Sequence, residues 1–302
     1  MNVFGDKWSF TSFGESHGAA IGGVLDGVPA GQHIDFDMIR EELERRAGRG
    51  VVGTSARAKN EPDEVEWLSG VMDGVTLGTP IAFIIRNKDA RPEDYEWLKH
   101  TYRVGHADRV YEQKYGVRDW RGGGRASARE TASRVVAGCL AKQELAQKGI
   151  AIQAQLVQVG AETDPNKFAE VIAAYQKEGD SIGGIVECRI TGLPAGVGVP
   201  IFNKLQAELA FAIMSINACK GFEYGTGFGG VTQPGSAINA ISGGIAGGIS
   251  DGTEVVFRCV FKPTPSTPKA GVKGRHDACV ATRAVPVVEA MTALALINLY
   301  AA

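Results

Sequence analysis

The chain lacks the features that mark disulfide-stapled, membrane-spanning or nucleic-acid-coating proteins. Its five cysteines, Cys139, Cys188, Cys219, Cys259 and Cys279, stand far apart, odd in number and without paired ligand spacing. Such a set excludes a disulfide framework and a cysteine zinc site, and reads as reduced thiols in the cytoplasm. No charge of one sign dominates, because 32 Lys and Arg face 34 Asp and Glu for a formal net charge of −2. An anionic partner must therefore be met by a local cluster, since no global field attracts it; neither nucleic acid nor a membrane is an expected partner. Residues 1–30 show no basic segment followed by an apolar core, and no apolar run is expected to reach membrane-spanning length. Histidine is scarce, five in 302 residues, so the setting of each one carries information.

What is present alternates short strands with amphipathic helices. "AAIGGVLDGV" (19–28), "TPIAFIIRN" (79–87) and "GGIVECRITGL" (183–193) read as strands, the second as a buried one by its β-branched run. "DFDMIREELERR" (35–46), "SARETASRVVAGCLAKQELAQKG" (127–149), "PIFNKLQAELAFAIMSI" (200–216) and "TRAVPVVEAMTALALINLY" (282–300) read as helices. No linker rich in Pro, Ser or charge divides the chain, so residues 1–302 are expected to form one domain. An internal echo refines this. "SGVMDGVTLGTPIAF" (69–83) aligns without gaps on "GGIAGGISDGTEVVF" (243–257), and "DGVPAG" (26–31) echoes "TGLPAG" (191–196). Two related half-units, about 1–150 and 151–302, are expected, with any site between them drawing residues from both.

Three histidines, His17, His106 and His276, lie in the short motifs "GESHG", "RVGHAD" and "GRHDA". Histidine carries protons near neutral pH, and adjacent glycines let a ligand approach the backbone. Arginine is the second signal: Arg103, Arg109, Arg118, Arg121, Arg125, Arg129 and Arg134 crowd one span. Within it "WRGGGRASARET" joins a glycine turn to a helix start, where Ser127 and Glu130 have capping-box spacing. A helix N-terminus flanked by Arg125 and Arg129 reads as an anion site. Arg45, Arg46 and Arg49 end the first helix, Arg275 neighbours His276, and Lys262 precedes the proline-rich "KPTPSTPK". Several guanidiniums with two or three histidines point to a small substrate carrying more than one anion.

The motifs "FGESHG", "GHAD", "RGGGRASARET", "MSINACKGFEYGTGF", "GGISDG", "KPTPS" and "GRHDAC" resemble the chorismate synthase family, in the family's order, over nearly all of residues 8–298. The resemblance implies an α/β (α+β) fold, a β-α-β sandwich with internal pseudo-two-fold symmetry, assembled as a homotetramer. It implies a 1,4-elimination of phosphate and a ring proton from 5-enolpyruvylshikimate 3-phosphate, requiring reduced FMN without net redox change. His17 is similar to the histidine near the leaving phosphate, and His106 to the one that protonates the reduced flavin. Asp277 matches the aspartate proposed to help remove the ring proton. Ser16, Arg46, Arg49, Arg103, Arg129 and Arg275 match the substrate-anion set. Arg125, Ser127 and Ala128, with Lys262, Pro263, Thr264, Pro265 and Ser266, match contacts to FMN. No metal is implied, and reduced flavin is expected from an external, NADPH-linked source. His276 reads as structural, and Glu15 has no assigned role. The sequence departs from the family's pattern at Val104, Arg109, Ala126, Thr226, Ala240 and Ala278. It aligns poorly over 47–57, and is shorter than many members over 231–243 and 264–273.

Read without the resemblance, the same His and Arg cluster also suits a flavin-independent phosphomonoester hydrolase or phosphosugar isomerase. A flavin-binding homologue with impaired catalysis is a third reading. A nucleic-acid-binding role for "RGGGR" is disfavoured by the near-neutral charge and the lack of repeated RGG units.

Overall fold

Period-two alternation, hidden in the sequence by β-branched residues on both faces, decides which side of each strand is buried. In Ile81–Arg86 the side chains of Ile81, Phe83 and Ile85 are buried while Ala82 and Ile84 are half-buried. Val255–Phe261 repeats the pattern with Val255, Phe257, Cys259 and Phe261. The strand at 79–87 is thus covered fully on one face only. The computed structural model describes residues 2–55, 60–238, 242–272 and 276–300.

Leaving aside two short hairpins, the strands are β1 (Val3–Phe4), β2 (Ser9–Phe13), β3 (Ala20–Asp26), β4 (Val65–Ser69) and β5 (Ile81–Arg86). The second half adds β6 (Ala151–Val159), β7 (Gly184–Thr191), β8 (Cys219–Tyr224) and β9 (Val255–Phe261). The helices that matter here are α1 (Phe36–Ala47), α2 (Asp108–Tyr115), α3 (Thr131–Gln147), α4 (Phe168–Lys177), α5 (Leu205–Met214) and α6 (Ala281–Tyr300). A five-stranded sheet runs β1-β2-β3-β5-β4 and a four-stranded one β8-β9-β7-β6, every pairing antiparallel. Helix α3 packs on the first sheet, α6 on the second, and the two helices pack on each other. The layers are therefore sheet, helices, sheet, the sandwich that the family resemblance implied.

The central helices approach closely because Gly138 faces Ala290, where an added Cβ would come within 2.3 Å of the Ala290 Cβ. By length and composition α6 could cross a membrane, contrary to the sequence expectation, but 72% of its apolar window is buried inside the protein. A helix sandwiched between layers is apolar all round for that reason. Helix α5 begins at Leu205, short of the expected residue 200, because the Val199 N–H closes a turn on the Asn203 carbonyl (2.9 Å).

The two sequence echoes fold alike. Val71–Met72 pairs with Val75–Thr76, and Ile245–Ala246 with Ile249–Ser250, around turns at Asp73-Gly74 and Gly247-Gly248 that all have positive φ. Each hairpin then leads into β5 or β9. The Thr76 hydroxyl donates to the Pro29 carbonyl at 2.6 Å, and the Ser250 hydroxyl donates to the Pro194 carbonyl at 2.6 Å. Pro29 and Pro194 are equivalent positions of the second echo, so the two echoes dock on each other identically in both halves.

Candidate active site

The turn joining β2 to β3 carries Ser16 and His17, both buried. Ser16 Oγ lies 3.0 Å from His17 Nδ1, and the imidazole meets the Tyr95 ring edge-on at 4.8 Å between centroids. The third side of the ring is Gly122 of "RGGGR", at φ 71°, where a Cβ would fall 2.3 Å from His17 Nδ1. The exposed Glu15 serves through its backbone: its carbonyl accepts the Gly18 N–H and the Asn87 Nδ2–H, which shape the turn.

His106 stands just before α2, whose first residue is Asp108. His106 Nδ1 is 2.8 Å from Asp108 Oδ1, leaving Nε2 for the cavity. Arg103 donates to Asp108 through Nε (2.9 Å) and Nη2 (2.7 Å), and to the Gly122 carbonyl at 2.8 Å. Burial opposes ionisation of Asp108, but the hydrogen bonds from Arg103 and His106 outweigh it and hold the carboxyl well below its usual range. One carboxylate thus fixes both a histidine and an arginine.

Helix α1 is capped by Asp35, which accepts the Met38 N–H at 2.9 Å, and ends at Gly48 in a left-handed turn. Successive helical residues point roughly 100° apart, so Arg45 and Arg46 diverge. Arg45 leaves the site for Glu42 and Glu289, while the buried Arg46 reaches Asp63 Oδ2 at 2.7 Å. Arg129 also donates to Asp63, through Nη1 to Oδ1, and through Nε to Asn87 Oδ1 at 3.0 Å. Burial works to raise the Asp63 carboxyl, and the Arg46 and Arg129 guanidiniums override it to about 2. The capping box forms by half. Ser127 accepts the Arg129 N–H (3.2 Å) ahead of a short turn into α3, while Glu130 pairs with Arg134 instead.

These groups line one cavity of about 460 Å³, within the usual range for small-molecule sites. Its wall includes His17, Arg46, Arg103, His106, Ser127, Ala128 and Arg129 from the first half. The second half supplies Lys262, Thr264, Pro265, Ser266 and Asp277. Asp277 accepts the Ser55 N–H at 2.9 Å and the Arg283 guanidinium at 2.6 Å, one on each oxygen. Four expected residues lie elsewhere. Ser16 sits behind His17. Arg49 turns to Glu44 and the Glu61 carbonyl beside a second cavity. Arg125 donates to Ser12 and to the Gly14 carbonyl, because its extended side chain satisfies backbone oxygens of the β2 turn. Pro263 is not on the wall. Arg275 and Ala240 lie outside the described residues. Of the other departures, Val104 and Arg109 are exposed, whereas Ala126 lines the cavity.

Several wall or supporting residues escaped the sequence reading: Tyr95, Asn217, Arg283, Glu61, Asp63 and Asn87. Asn217 had a signal, since it lies in "MSINACKG". The other five sit in ordinary surface-like contexts and are placed only by tertiary contact. His276, expected to be structural, lines the cavity; burial lowers its pKa, and its Nε2 is buried without a partner. Asn217 Oδ1 and Ser266 Oγ are also buried and unpartnered on this wall. Orphaned polar atoms on a wall built with Ala128 and Pro265 fit a flat heteroaromatic group such as the implied flavin. Among the described residues no group of three or more His, Cys, Asp or Glu is arranged to hold a metal ion.

Comparison with known proteins converges on one description. A family model described as chorismate synthase matches residues 8–301. A chorismate synthase from Phocaeicola vulgatus is 46% identical, with 99% of this chain and 98% of the relative covered. One from Christiangramia forsetii is 45% identical, covering 99% and 97%. The first alignment extends over 354 positions against 302 residues, so the chain lacks internal segments that this relative carries. A crystal structure of chorismate synthase superposes with a TM-score of 0.77 at 30% identity, over 98% of this chain and 92% of the other. Sequence over its whole length, layer order and the motif-bearing cavity agree, and the chain belongs to the chorismate synthase family of carbon–oxygen lyases.

Proposed function

We propose that the chain converts 5-enolpyruvylshikimate 3-phosphate to chorismate, breaking the allylic C–O bond to phosphate and a ring C–H bond while a new C=C forms. The observation that carries this reading is the convergence of His17, His106 and the Arg46–Arg129 pair with the 262–266 segment on one cavity. Arg46, Arg103 and Arg129 hold the substrate's anions, with Ser16 acting through His17. His17, fixed by Ser16 and Tyr95, attends the departing phosphate. Reduced FMN, when bound, supplies transient electron density to the allylic centre. Ser127, Ala128, Lys262, Thr264, Pro265 and Ser266 would hold that group, and His106 presents a proton to it from Nε2. Asp277, oriented by Ser55 and Arg283, is assigned to the ring proton. The same reading takes the chain as one domain of two half-units, about 1–150 and 151–302. It further takes the protein as a cytoplasmic homotetramer supplied with reduced flavin by an external NADPH-linked source.

Anaerobic phosphate release from the enolpyruvyl substrate is expected with reduced FMN and not with oxidised FMN. Equal rates with and without reduced flavin would sink the reading in favour of a flavin-independent phosphate-processing enzyme. A flavin-binding homologue with impaired catalysis is a second reading, favoured by the segments missing relative to the Phocaeicola chain. Flavin binding without phosphate release would establish it. Gly122→Ala tests the placement of His17. A Cβ 2.3 Å from Nδ1 must push the ring aside, and a misplacement of about 1 Å costs on the order of 10²-fold. A fall in kcat of that size is expected in steady-state kinetics; wild-type turnover would take the fixed ring position out of the mechanism.

A further inference from the structure

The carboxylate most closely engaged with the cavity's arginines is not on the cavity wall. Asp63 lies behind Arg46 and Arg129, facing a second cavity that it lines with Arg49 and Trp67. Its side chain and those of Arg46 and Arg129 are 4%, 2% and 6% exposed. Each of its oxygens takes one guanidinium, Oδ2 that of Arg46 and Oδ1 that of Arg129. Asn87 Oδ1 and the Arg86 carbonyl fix the remaining edges of Arg129, and Glu61 stands 3.9 Å from it. Arg46 Nε is buried without a partner.

A buried ion triad seldom stabilises a fold more than apolar residues of the same volume would, so its retention asks for another reason. Two guanidiniums side by side repel, and a bridging carboxylate sets their spacing. It also cancels one of their two positive charges, so an anion arriving from the cavity meets a weakened field in a fixed geometry. Free phosphate, a product of the proposed reaction, gains little there. A larger ligand whose anions match the spacing gains the oriented N–H groups.

We propose that Asp63 is a positioning and specificity-determining residue, which presents Arg46 and Arg129 to the substrate and keeps inorganic phosphate from occupying them. The inference rests on the reading of Arg46 and Arg129 as substrate-anion ligands. Its test compares Asp63→Asn, Asp63→Glu and Arg129→Ala with the wild type. The readouts are kcat and KM with reduced FMN, and the binding of inorganic phosphate to the protein alone by calorimetry. Asp63→Asn is expected to bind phosphate about tenfold more tightly, at the modest end of charge-pair couplings, while kcat falls by at least about tenfold. Asp63→Glu keeps the charge but shifts it by one methylene, so phosphate binding should return to wild type while kcat stays low. A merely structural role would weaken phosphate and turnover together in Asp63→Asn, and that result, or no change in either, overturns the proposal. If the Asn variant does not fold, the Glu variant decides, and wild-type kcat there is the overturning result. Should Arg129→Ala leave both KM and phosphate binding unchanged, the anion-site reading fails first. If Arg129→Ala changes them and Asp63→Asn does not, only the role of Asp63 fails.

Discussion

Replacing His106 by alanine is expected to slow turnover by about 10²–10⁴-fold, the usual contribution of a positioned proton donor. The geometry makes this a clean substitution. Asp108 accepts from Arg103 through bonds that do not pass through His106, so that ion pair survives when the imidazole is removed. The loss should therefore fall on kcat, with KM for the phosphorylated substrate and the folded state little changed. Steady-state kinetics with reduced FMN, alongside a thermal melt, would check it. Near-wild-type kcat would remove His106 from the mechanism, whereas a large rise in KM would show that it holds the Arg103 geometry.

Arg129→Ala is the second large effect. A buried guanidinium that donates to substrate is worth more than about 1.5 kcal/mol, so KM should rise by more than about tenfold. An unchanged KM would assign Arg129 to structure alone. The same substitution has a signature in acid. The Asp63 carboxyl is lowered from 3.8 to about 2 in the folded protein. Its ion pairs therefore stabilise the fold fully above about pH 4, and that stability is lost as pH falls toward 2. With one of its two cations gone, the folded pKa rises toward the unfolded one. Less stability remains to be lost, and the variant's melting temperature should fall less steeply than the wild type's between pH 4 and pH 2. Parallel acid profiles would mean that Arg46 alone sets the Asp63 carboxyl.

Much of the fold was legible because its signals are local. The positive-φ turns at Asp73-Gly74 and Gly247-Gly248 need residues that tolerate a left-handed backbone, and those residues made the echo visible. The Asp35 cap and the Gly48 stop bound α1 closely for the same reason. The start of α5 was not legible, since Pro200 reads as a first helical residue while the Val199–Asn203 turn delays the helix to Leu205. Nor was the burial of α6: composition cannot separate a core helix from a spanning one, and only the two flanking sheets decide.

The site divides along the same line. Residue types that reactions require, His17, His106, Asp277 and the arginines, announce themselves in sequence because they sit among glycines that clear space for a ligand. Which arginine faces the cavity did not. Arg45 and Arg46 are neighbours in sequence, yet the roughly 100° between successive helical residues sends the first to Glu42 and Glu289 and the second to Asp63. Arg125 and Arg129 flank one helix start, yet only Arg129 enters. Asp63 and Asn87, which aim two of the arginines, come from distant segments with no motif of their own, whereas Asp108 belongs to the same "RVGHAD" stretch as the two residues it holds. By itself the sequence determined the alternation of strands and helices, the echoed turns and the chemical inventory, since these depend on local backbone preference and residue type; the layer order came only from the family resemblance. Only the tertiary structure decided the long-range partners of each charge: how Asp63 couples Arg46 of α1 to Arg129 in the turn ahead of α3, and how Asp277 is held by the distant Ser55 N–H. Direction and pairing of long side chains depend on packing between segments, which no short stretch of sequence contains.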